Sequence, residues 1–403
     1  MSTRSEQVTA WMEAHREEMV DFLARLVAEP TENPPGVGLG RCARVLAEEL
    51  EHLGLSPELI KITGEHTLED PYIVRAHVGE GGRLLYFHGH YDVVPVQRRD
   101  QFTMRREYGK LIGRGVADMK GGIVSMVYGA AAAKELGLIG DGRIVLHLVP
   151  DEETGSVVGA GHLRGTDMID PAAMAMVTGE PSGSSIWNAA RGAISLKVSF
   201  SGREAHVGQA AFGINTFAQM NHVVRPLLEY AKEMANRPTG YNMDPADPTG
   251  SMVLVGGMSG GGSNFNVVPP DCWFTIDSRY NPEEDLEAEL ARMQQIIRDA
   301  AAEVDAQVTV EVTQFQPPAG TPGDHPAGAA LGRCVAEVRG EPARFEMCGG
   351  ILENRWYDQL GIPAFALGAG RLDVSHGPSE NVDENELVRI AAVYALYANE
   401  MLP

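Results

Sequence analysis

The chain has 403 residues, of which 44% are hydrophobic and 22% are charged, and its formal net charge is −22. This length favours two domains, and the composition is that of an ordinary globular protein. The negative charge argues against nucleic acid or an anionic membrane as a partner, because both carry negative charge themselves. The four cysteines form no C-x-x-C pair, which favours buried reduced thiols over disulfides or a zinc knuckle.

The N-terminal segment is charged throughout and lacks the uninterrupted apolar core of a signal peptide. No stretch of the sequence is apolar for long enough to span a bilayer, so we expect a cytoplasmic protein with no membrane partner. Hydrophobic residues from Val8 to Val27 repeat at helical spacing and predict one amphipathic helix that ends before Pro30. A second helix is expected across residues 41–53.

Short β-rich runs then alternate with helices, which predicts an α/β fold: a mostly parallel sheet flanked by helices on both faces. The expected elements are strands at 72–78 and 84–87, a helix at 119–136, and strands at 144–149 and 173–177. From Trp187 the pattern changes to strands at 194–200, 252–255, 272–279 and 308–312 and helices at 216–234 and 284–302. We therefore predict one domain formed by residues 1–186 and 314–403, and a small α/β two-layer sandwich inserted at 187–313. A final helix is expected at 384–401.

Five short clusters with histidine or acidic side chains end or follow predicted strands: FHGHYDVVP, GRGVADMKGG, PDEETG, VTGEPS and VSHGPSENV. In a parallel sheet, ligand sites lie beyond the carboxyl ends of the strands. Together the clusters supply His90, His376 and several carboxylates, the ligand set of a paired divalent-metal site. One such cluster is usually a surface or core hydrogen-bonding pair, a solvated turn or a helix cap, whereas five in this arrangement predict a two-metal hydrolase.

The first two clusters suggest how such a site would be organised. His90 and Asp92 lie two residues apart and point the same way if extended, so Asp92 can hold the second imidazole nitrogen of His90. His88 shares that face of the strand. Asp118 stands at the start of a predicted helix, where a carboxylate is favoured, and it can bridge two cations.

The remaining clusters supply further carboxylates and the second histidine. Glu152 and Glu153 are adjacent, and neighbouring side chains of an extended segment diverge. One of them can therefore bind metal while the other faces the substrate as a general base. Glu180 and His376 complete two sets of ligands.

In order, spacing and context these clusters resemble the zinc peptidase family that includes acetylornithine deacetylase, succinyl-diaminopimelate desuccinylase, aminoacylase and carboxypeptidase G. The resemblance covers essentially the whole chain. It implies a zinc exopeptidase-like catalytic domain with a lid domain that dimerises, and the inserted segment 187–313 matches the lid. Two divalent metal ions are implied as cofactors, zinc first, with manganese or cobalt also suited to carboxylate-rich sites. The implied roles are His90, Asp118 and Glu180 on one ion, Asp118, Glu153 and His376 on the other, Glu152 as general base, and Asp92 to orient His90.

The resemblance also extends to substrate-handling positions in the predicted lid. His206 in SGREAHVG matches a histidine that reaches the partner subunit's site and steadies the oxyanion, which implies a homodimer. Asn266 in FNVVPP and Arg279 in IDSRY match positions that hold the substrate carboxylate, and an arginine at a strand end suits bidentate carboxylate binding. The chain departs from the family in GGILENRWY, where Leu352 and Glu353 replace a Ser or Thr followed by Asp. That loop lines the substrate side in relatives, so the change concerns the substrate and is expected to leave the metal site untouched.

These patterns predict a metal-dependent amidohydrolase of the metallopeptidase type that cleaves an N-acyl amino acid, a small amide that carries a carboxylate. VTGEPS favours the group of acetylornithine deacetylase and succinyl-diaminopimelate desuccinylase. A carboxypeptidase or dipeptidase of the same family is one alternative, and a non-catalytic binding protein on this fold is another. The segment GMSGG at 257–261 fits the G-x-S-x-G of serine hydrolases, but the helix that must follow the serine is replaced by a turn with two prolines.

Overall fold

The structure is a computed structural model that describes residues 3–403. Its α-helices are α1 (Arg4–Ala14), α2 (Arg16–Ala28), α3 (Leu39–His52), α4 (Lys120–Glu135), α5 (Ala160–Gly165), α6 (Thr216–Ala235), α7 (Leu286–Glu303), α8 (Pro326–Arg339), α9 (Asn354–Asp358) and α10 (Glu384–Met401). Its first nine strands are β1 (Ser56–Lys61), β2 (Tyr72–Val78), β3 (Arg83–His90), β4 (Arg105–Glu107), β5 (Lys110–Ile112), β6 (Gly142–Val149), β7 (Ala175–Thr178), β8 (Ser185–Ala190) and β9 (Gly192–Ser201). The others are β10 (Ala205–His206), β11 (Met252–Gly261), β12 (Val267–Val268), β13 (Asp271–Tyr280), β14 (Gln307–Gln316), β15 (Ala319–Gly320), β16 (Arg344–Cys348), β17 (Ala364–Ala366) and β18 (Asn381–Asp383).

The chain divides into two compact units. The first comprises residues 3–188 together with Gly320–Glu346 and Glu353–Pro403. The second comprises Ala189–Ala319 and Met347–Leu352. Each unit has hydrophobic core residues of its own.

The first unit is built around a mixed sheet in which neighbouring strands follow the order β1-β2-β6-β3-β7-β17-β8. The four consecutive strands β6, β3, β7 and β17 run parallel to one another. Antiparallel pairing extends the sheet on both sides of these four. The predicted α/β class is confirmed, and the parallel centre brings the carboxyl ends of four strands to one edge.

Helices cover both faces of this sheet. Alternate residues of a strand point to opposite faces, so the two sets of side chains pack against different helices. On β3, Leu85 and Phe87 belong to a core shared with helices α1–α4, α8 and α10. Leu84 and Tyr86 belong to a second core that includes residues of α5 and α9. The strand therefore has no exposed face, which agrees with its nearly continuous apolar sequence.

Phe87 offers a test of this packing, because its ring is fully buried and lies edge-on to Tyr394 with 4.7 Å between ring centroids. Phe87→Ala is expected to lower the free energy of unfolding of the first unit by about 3–5 kcal/mol, since the lost contacts leave a cavity. Urea denaturation followed by circular dichroism measures the loss. Tyr108→Ala, at a fully exposed side chain, is the control and should change the value by less than about 0.5 kcal/mol. Equal losses in the two variants would contradict this packing.

The second unit contains an antiparallel sheet of order β11-β13-β9-β14. Helices α6 and α7 pack on it, and residues such as Val223 and Met293 share a buried core with Val198 and Ile276. These strands and helices are the ones that the sequence predicts. Strand β11, however, continues through the glycine-rich segment to Gly261.

The N-terminal prediction is wrong in one respect, because two helices replace the single one expected. Helices α1 and α2 meet at His15, whose backbone leaves helical values at φ −103° and ψ 9°. The His15 ring stacks on Trp11 with 3.7 Å between centroids, and its Nδ1 lies 2.8 Å from the Trp11 carbonyl oxygen. A side chain that engages a backbone carbonyl competes with helical hydrogen bonding and accounts for the break.

The remaining sequence expectations concern the serine motif, the cysteines and the membrane. Ser259 of GMSGG lies inside β11, paired with Phe274, and the next element is the short strand β12. A nucleophile elbow requires a helix there, so the serine-hydrolase interpretation is excluded.

The four cysteines are free and buried, as predicted. Within residues 3–403, none of the helices has both the length and the apolar content needed to cross a bilayer.

Candidate metal centre

The candidate site lies where the four parallel strands end. His90 is the last residue of β3, Glu152 and Glu153 follow β6, and Glu180 follows β7. His376 lies in the segment between β17 and β18. Because these strands are neighbours in the sheet, residues far apart in sequence meet at one edge.

The ligand atoms form two groups that share Asp118. His90, Asp118 and Glu180 offer atoms that all lie within 4.8 Å of one another, and so do Asp118, Glu153 and His376. Asp118 Oδ1 lies 3.2 Å from His90 Nε2, whereas its Oδ2 lies 3.2 Å from His376 Nε2. The two oxygens of one carboxylate therefore face different histidines, which is the arrangement that a bridging ligand requires.

The spacing within each group suits a tetrahedral cation. Glu180 Oε1 lies 3.8 Å from His90 Nε2, and Glu153 Oε1 lies 3.5 Å from His376 Nε2. Zinc binds nitrogen and oxygen ligands at about 2.0–2.2 Å, so two ligands of a tetrahedral ion lie about 3.4 Å apart. The observed separations match those between the ligands of a single ion.

Two carboxylate oxygens support the same conclusion. Glu153 Oε1 and Glu180 Oε1 are buried and have no hydrogen-bond partner among the residues that the structure describes. Buried polar atoms without a partner are rare, because their lost hydration is not replaced. Each of these oxygens faces the histidine of its own group, where a cation would satisfy it. The residues present therefore fit a paired divalent-metal centre.

The charges in the two groups influence one another strongly. Burial raises the pKa of Glu180 and of Glu153. Burial acts on Asp118 in the same direction, but hydrogen bonds from His376 and His90 hold its pKa below the ordinary value. The hydrogen bond to Asp118 and the nearby Glu153 carboxylate raise the pKa of His376 to about 10. Because a histidine ligand must be neutral, metal binding at this group releases a proton.

Asp92 connects His90 to the loop that carries the two adjacent glutamates. Its Oδ1 lies 3.2 Å from His90 Nδ1 and accepts the Glu152 N–H at 3.1 Å. Its Oδ2 accepts the Glu153 N–H at 3.1 Å and the side-chain amide of Asn33 at 2.9 Å. With Nδ1 engaged in this way, Nε2 of His90 faces the metal group. Asn33 could not be recognised from the sequence, because the segment TENPPG shows only the end of a helix.

The segment PDEETG is not extended, so the predicted geometry of its glutamates is wrong. Glu152–Thr154 forms a 3₁₀ turn, in which the Asp151 carbonyl accepts the N–H of Thr154 at 3.3 Å. The turn forms because backbone N–H groups converge on Asp151 and on Asp92. Glu153 still faces the second ligand group. Burial raises the pKa of Glu152 well above its usual range.

The predicted lid residues lie in the second unit. His206 is exposed, and its Nε2 lies 3.5 Å from the side-chain amide of Asn266. His206 Nδ1 accepts the backbone N–H of Gly208 at 3.2 Å. Arg279 donates from Nη1 to Asp277 Oδ1 at 3.0 Å. The structure thus brings His206 and Asn266 together and pairs Arg279 with a carboxylate of its own strand.

The unusual loop GGILENRWY places Glu353 against the strand that carries His90, and both ligand groups are present. Glu353 is fully buried, and its Oε2 lies 2.7 Å from His88 Nε2. His88 Nδ1 lies 3.0 Å from the hydroxyl of Tyr357, which also bonds His147 at 2.9 Å. The change at position 353 therefore reaches the strand that carries His90 and is not confined to the substrate side. It also explains the role of His88, which is bound to Glu353 and lies in neither ligand group.

Comparison with known proteins identifies the family. Residues 86–400 match the model of Peptidase family M20/M25/M40. The chain belongs to this family. It is 27% identical over 303 residues to a probable succinyl-diaminopimelate desuccinylase of Staphylococcus aureus, covering 70% of this chain and 73% of that protein. It is 28% identical over 404 residues to the succinyl-diaminopimelate desuccinylase of Stenotrophomonas maltophilia, covering 95% of this chain and 99% of the relative.

The fold of this M20/M25/M40 member is also found in solved structures. Human carnosine dipeptidase 1 superposes with a TM-score of 0.77 over 100% of this chain and 99% of that protein, at 18% sequence identity. This similarity concerns the fold. Family membership confirms the predicted resemblance and the predicted enzyme class, a metal-dependent amidohydrolase or metallopeptidase.

Proposed function

We propose that this enzyme uses two zinc ions to hydrolyse the amide bond of an N-acyl amino acid. The observation that carries the proposal is Asp118, whose two oxygens each lie 3.2 Å from a different histidine. The relative from Stenotrophomonas maltophilia, which is named a desuccinylase and aligns over nearly its full length, supports removal of an acyl group.

In this proposal the two ligand groups each hold one ion. His90, Asp118 and Glu180 hold the first, and Asp118, Glu153 and His376 hold the second. Bound there, two zinc ions would polarise the substrate carbonyl and lower the pKa of water. Manganese or cobalt suits the same donor set, because carboxylate and imidazole ligands discriminate poorly among these ions.

The chain's own residues carry the proton transfers. Glu152 accepts a proton from the attacking water as the water oxygen bonds to the amide carbon. Glu152 then delivers that proton to the leaving nitrogen, so that the C–N bond breaks to give a carboxylic acid and an amine. Its backbone N–H and the His90 ring are both held by Asp92, which fixes the base relative to the ligand.

We assign substrate handling to three residues of the second unit. His206 would steady the oxyanion in the partner subunit's site. Since His206 Nδ1 accepts a hydrogen bond from Gly208, its proton lies on Nε2, which can donate. Asn266 and Arg279 would hold the substrate carboxylate.

The role of His206 implies a homodimer, and strand β11 supports self-association. β11 lies at the edge of the sheet of the second unit. It carries the exposed apolar side chains of Leu254 and Met258. An exposed edge strand with apolar residues is suited to pairing with another chain.

The test is a substrate panel for enzyme that has been stripped by a chelator and reloaded with zinc. N-Acetyl and N-succinyl amino acids should be cleaved with a kcat/KM about 10-fold or more above that for dipeptides, and the stripped enzyme should be inactive. An N-acyl amino acid whose carboxylate is capped as an amide should show a raised KM. Cleavage of dipeptides alone would favour the carboxypeptidase or dipeptidase alternative. No cleavage with zinc bound would favour a binding protein.

A further inference from the structure

Arg114 and Glu380 form a buried ion pair between the segments that carry two of the proposed ligands. Arg114 Nη1 lies 2.6 Å from Glu380 Oε2, and each side chain is only 1% exposed. Strands β18 and β5 pair with Asn381 opposite Ile112, and the Gly113 N–H donates to the Glu380 carbonyl at 3.1 Å. The backbone thus fixes the two residues side by side.

Glu380 holds the segment that leads to Asp118. Its Oε1 accepts the backbone N–H groups of Gly115 at 2.9 Å, Ala117 at 3.0 Å and Asp118 at 3.2 Å. Hydrogen bonds to a carboxylate are stronger than those between neutral groups. Three of them on one oxygen fix the backbone of Asp118 and therefore the origin of its side chain.

Arg114 holds the segment that carries His376. Its Nη2 donates to the His376 carbonyl oxygen at 3.2 Å and to Gln97 Oε1 at 3.1 Å. Gln97 Nε2 donates to the same carbonyl at 3.0 Å. His376 has a φ of 62°, a left-handed conformation that is strained for a residue with a side chain. The two donors on its carbonyl help to retain this conformation.

We infer that Arg114 and Glu380 are positioning residues that set the distance between the shared ligand Asp118 and the ligand His376. The inference rests on the proposed metal centre. Arg114 lies on the segment that leads to Asp118. Its planar guanidinium contacts the Glu380 carboxylate with one nitrogen and the His376 carbonyl with another, so one rigid group links the two segments. Lysine has the charge but lacks this fork.

The two residues should affect the ions differently. Arg114→Lys keeps the charge and frees the His376 segment, so it should raise the Kd of one of the two ions about 10–100-fold and leave the other unchanged. Glu380→Gln removes the negative charge that accepts the backbone N–H groups of Gly115, Ala117 and Asp118. Because Asp118 belongs to both ligand groups, Glu380→Gln should raise the Kd of both ions.

Metal affinity is measured on the stripped full-length chain by competition with a chromophoric chelator, and Co²⁺ absorption reports the coordination at each step. Circular dichroism first shows that each variant is folded. Arg191→Lys is the control. Arg191 is a buried arginine of the second unit that donates to the Gly250 carbonyl at 3.1 Å, and its replacement should lower stability without changing either Kd.

The outcomes separate this inference from the proposed function. Suppose that the wild type binds two ions. If Arg114→Lys and Glu380→Gln leave both Kd values unchanged, or if Arg191→Lys changes them equally, the positioning role alone is overturned. Wild type that binds no stoichiometric metal would overturn the proposed centre. If Arg114→Lys does not fold, Gln97→Ala removes the exposed donor to His376 and should raise one Kd about 5-fold, the equivalent of one hydrogen bond. An unchanged Kd in that variant would also overturn the inference.

Discussion

Asp118→Ala is expected to abolish stable binding of both metal ions and to lower kcat/KM by about 10³-fold or more, since a bound metal contributes several kcal/mol to the transition state. The reason is that Asp118 Oδ1 lies 3.2 Å from His90 Nε2 and Oδ2 lies 3.2 Å from His376 Nε2. Alanine removes one ligand from each group and also the negative charge that both ions share. No other residue belongs to both groups among those described.

The matched control for this variant is His376→Ala, which removes a ligand from one group only. Elemental analysis of desalted protein should find two metal ions per chain in wild type, one in His376→Ala and none in Asp118→Ala. A single ion retained in Asp118→Ala would show that the aspartate serves one ion and does not bridge. Two ions retained in His376→Ala would place the second histidine outside the centre.

The elements that the sequence predicted well are those with a strong local pattern. Strand Tyr72–Val78 and helix Glu384–Met401 have the bounds expected from their alternation and their helical periodicity. Strand β3, by contrast, runs to His90, past the apolar run at 84–87. Pairing with β6 extends it, and this pairing depends on the rest of the sheet.

The proposed ligands could be predicted because residue type and position at strand ends are visible in sequence. The residues that hold these ligands in position could not be predicted. Asn33 lies 59 residues from Asp92, and Arg114 lies 266 residues from Glu380. Such partners meet only when the sheet has formed. Arg114 and Glu380 stand inside the clusters GRGVADMKGG and VSHGPSENV, but no local pattern marks them as partners.

The second unit shows what local pattern leaves undetermined. Its strands and helices were predicted, and Arg279 was expected to be available for a substrate carboxylate. In the structure Asp277, two residues earlier on the same strand, accepts from that guanidinium. Residues two apart share one face of a strand, so this pairing is visible in IDSRY. The roles of the lid residues, the homodimer and the cytoplasmic location stay predictions.

Glu152→Gln is expected to lower kcat by about 10²–10⁴-fold while the metal content and KM stay close to those of wild type. The amide matches the carboxylate in shape, so the turn at Glu152–Thr154 and the hydrogen bond from the backbone N–H of Glu152 to Asp92 should persist. What is lost is the group that takes the proton from water and returns it to nitrogen.

The adjacent residue provides the control for this prediction, because Glu153 lies in the same turn but faces His376 at 3.5 Å. Glu153→Gln should lose one metal ion, and part of its activity should return at high zinc concentration. Glu152→Gln should keep both ions and gain nothing from added zinc. Loss of metal in Glu152→Gln would make it a ligand, and undiminished kcat would place the base elsewhere. Two neighbouring glutamates with opposite responses to zinc would separate proton transfer from metal binding within a single turn of the chain.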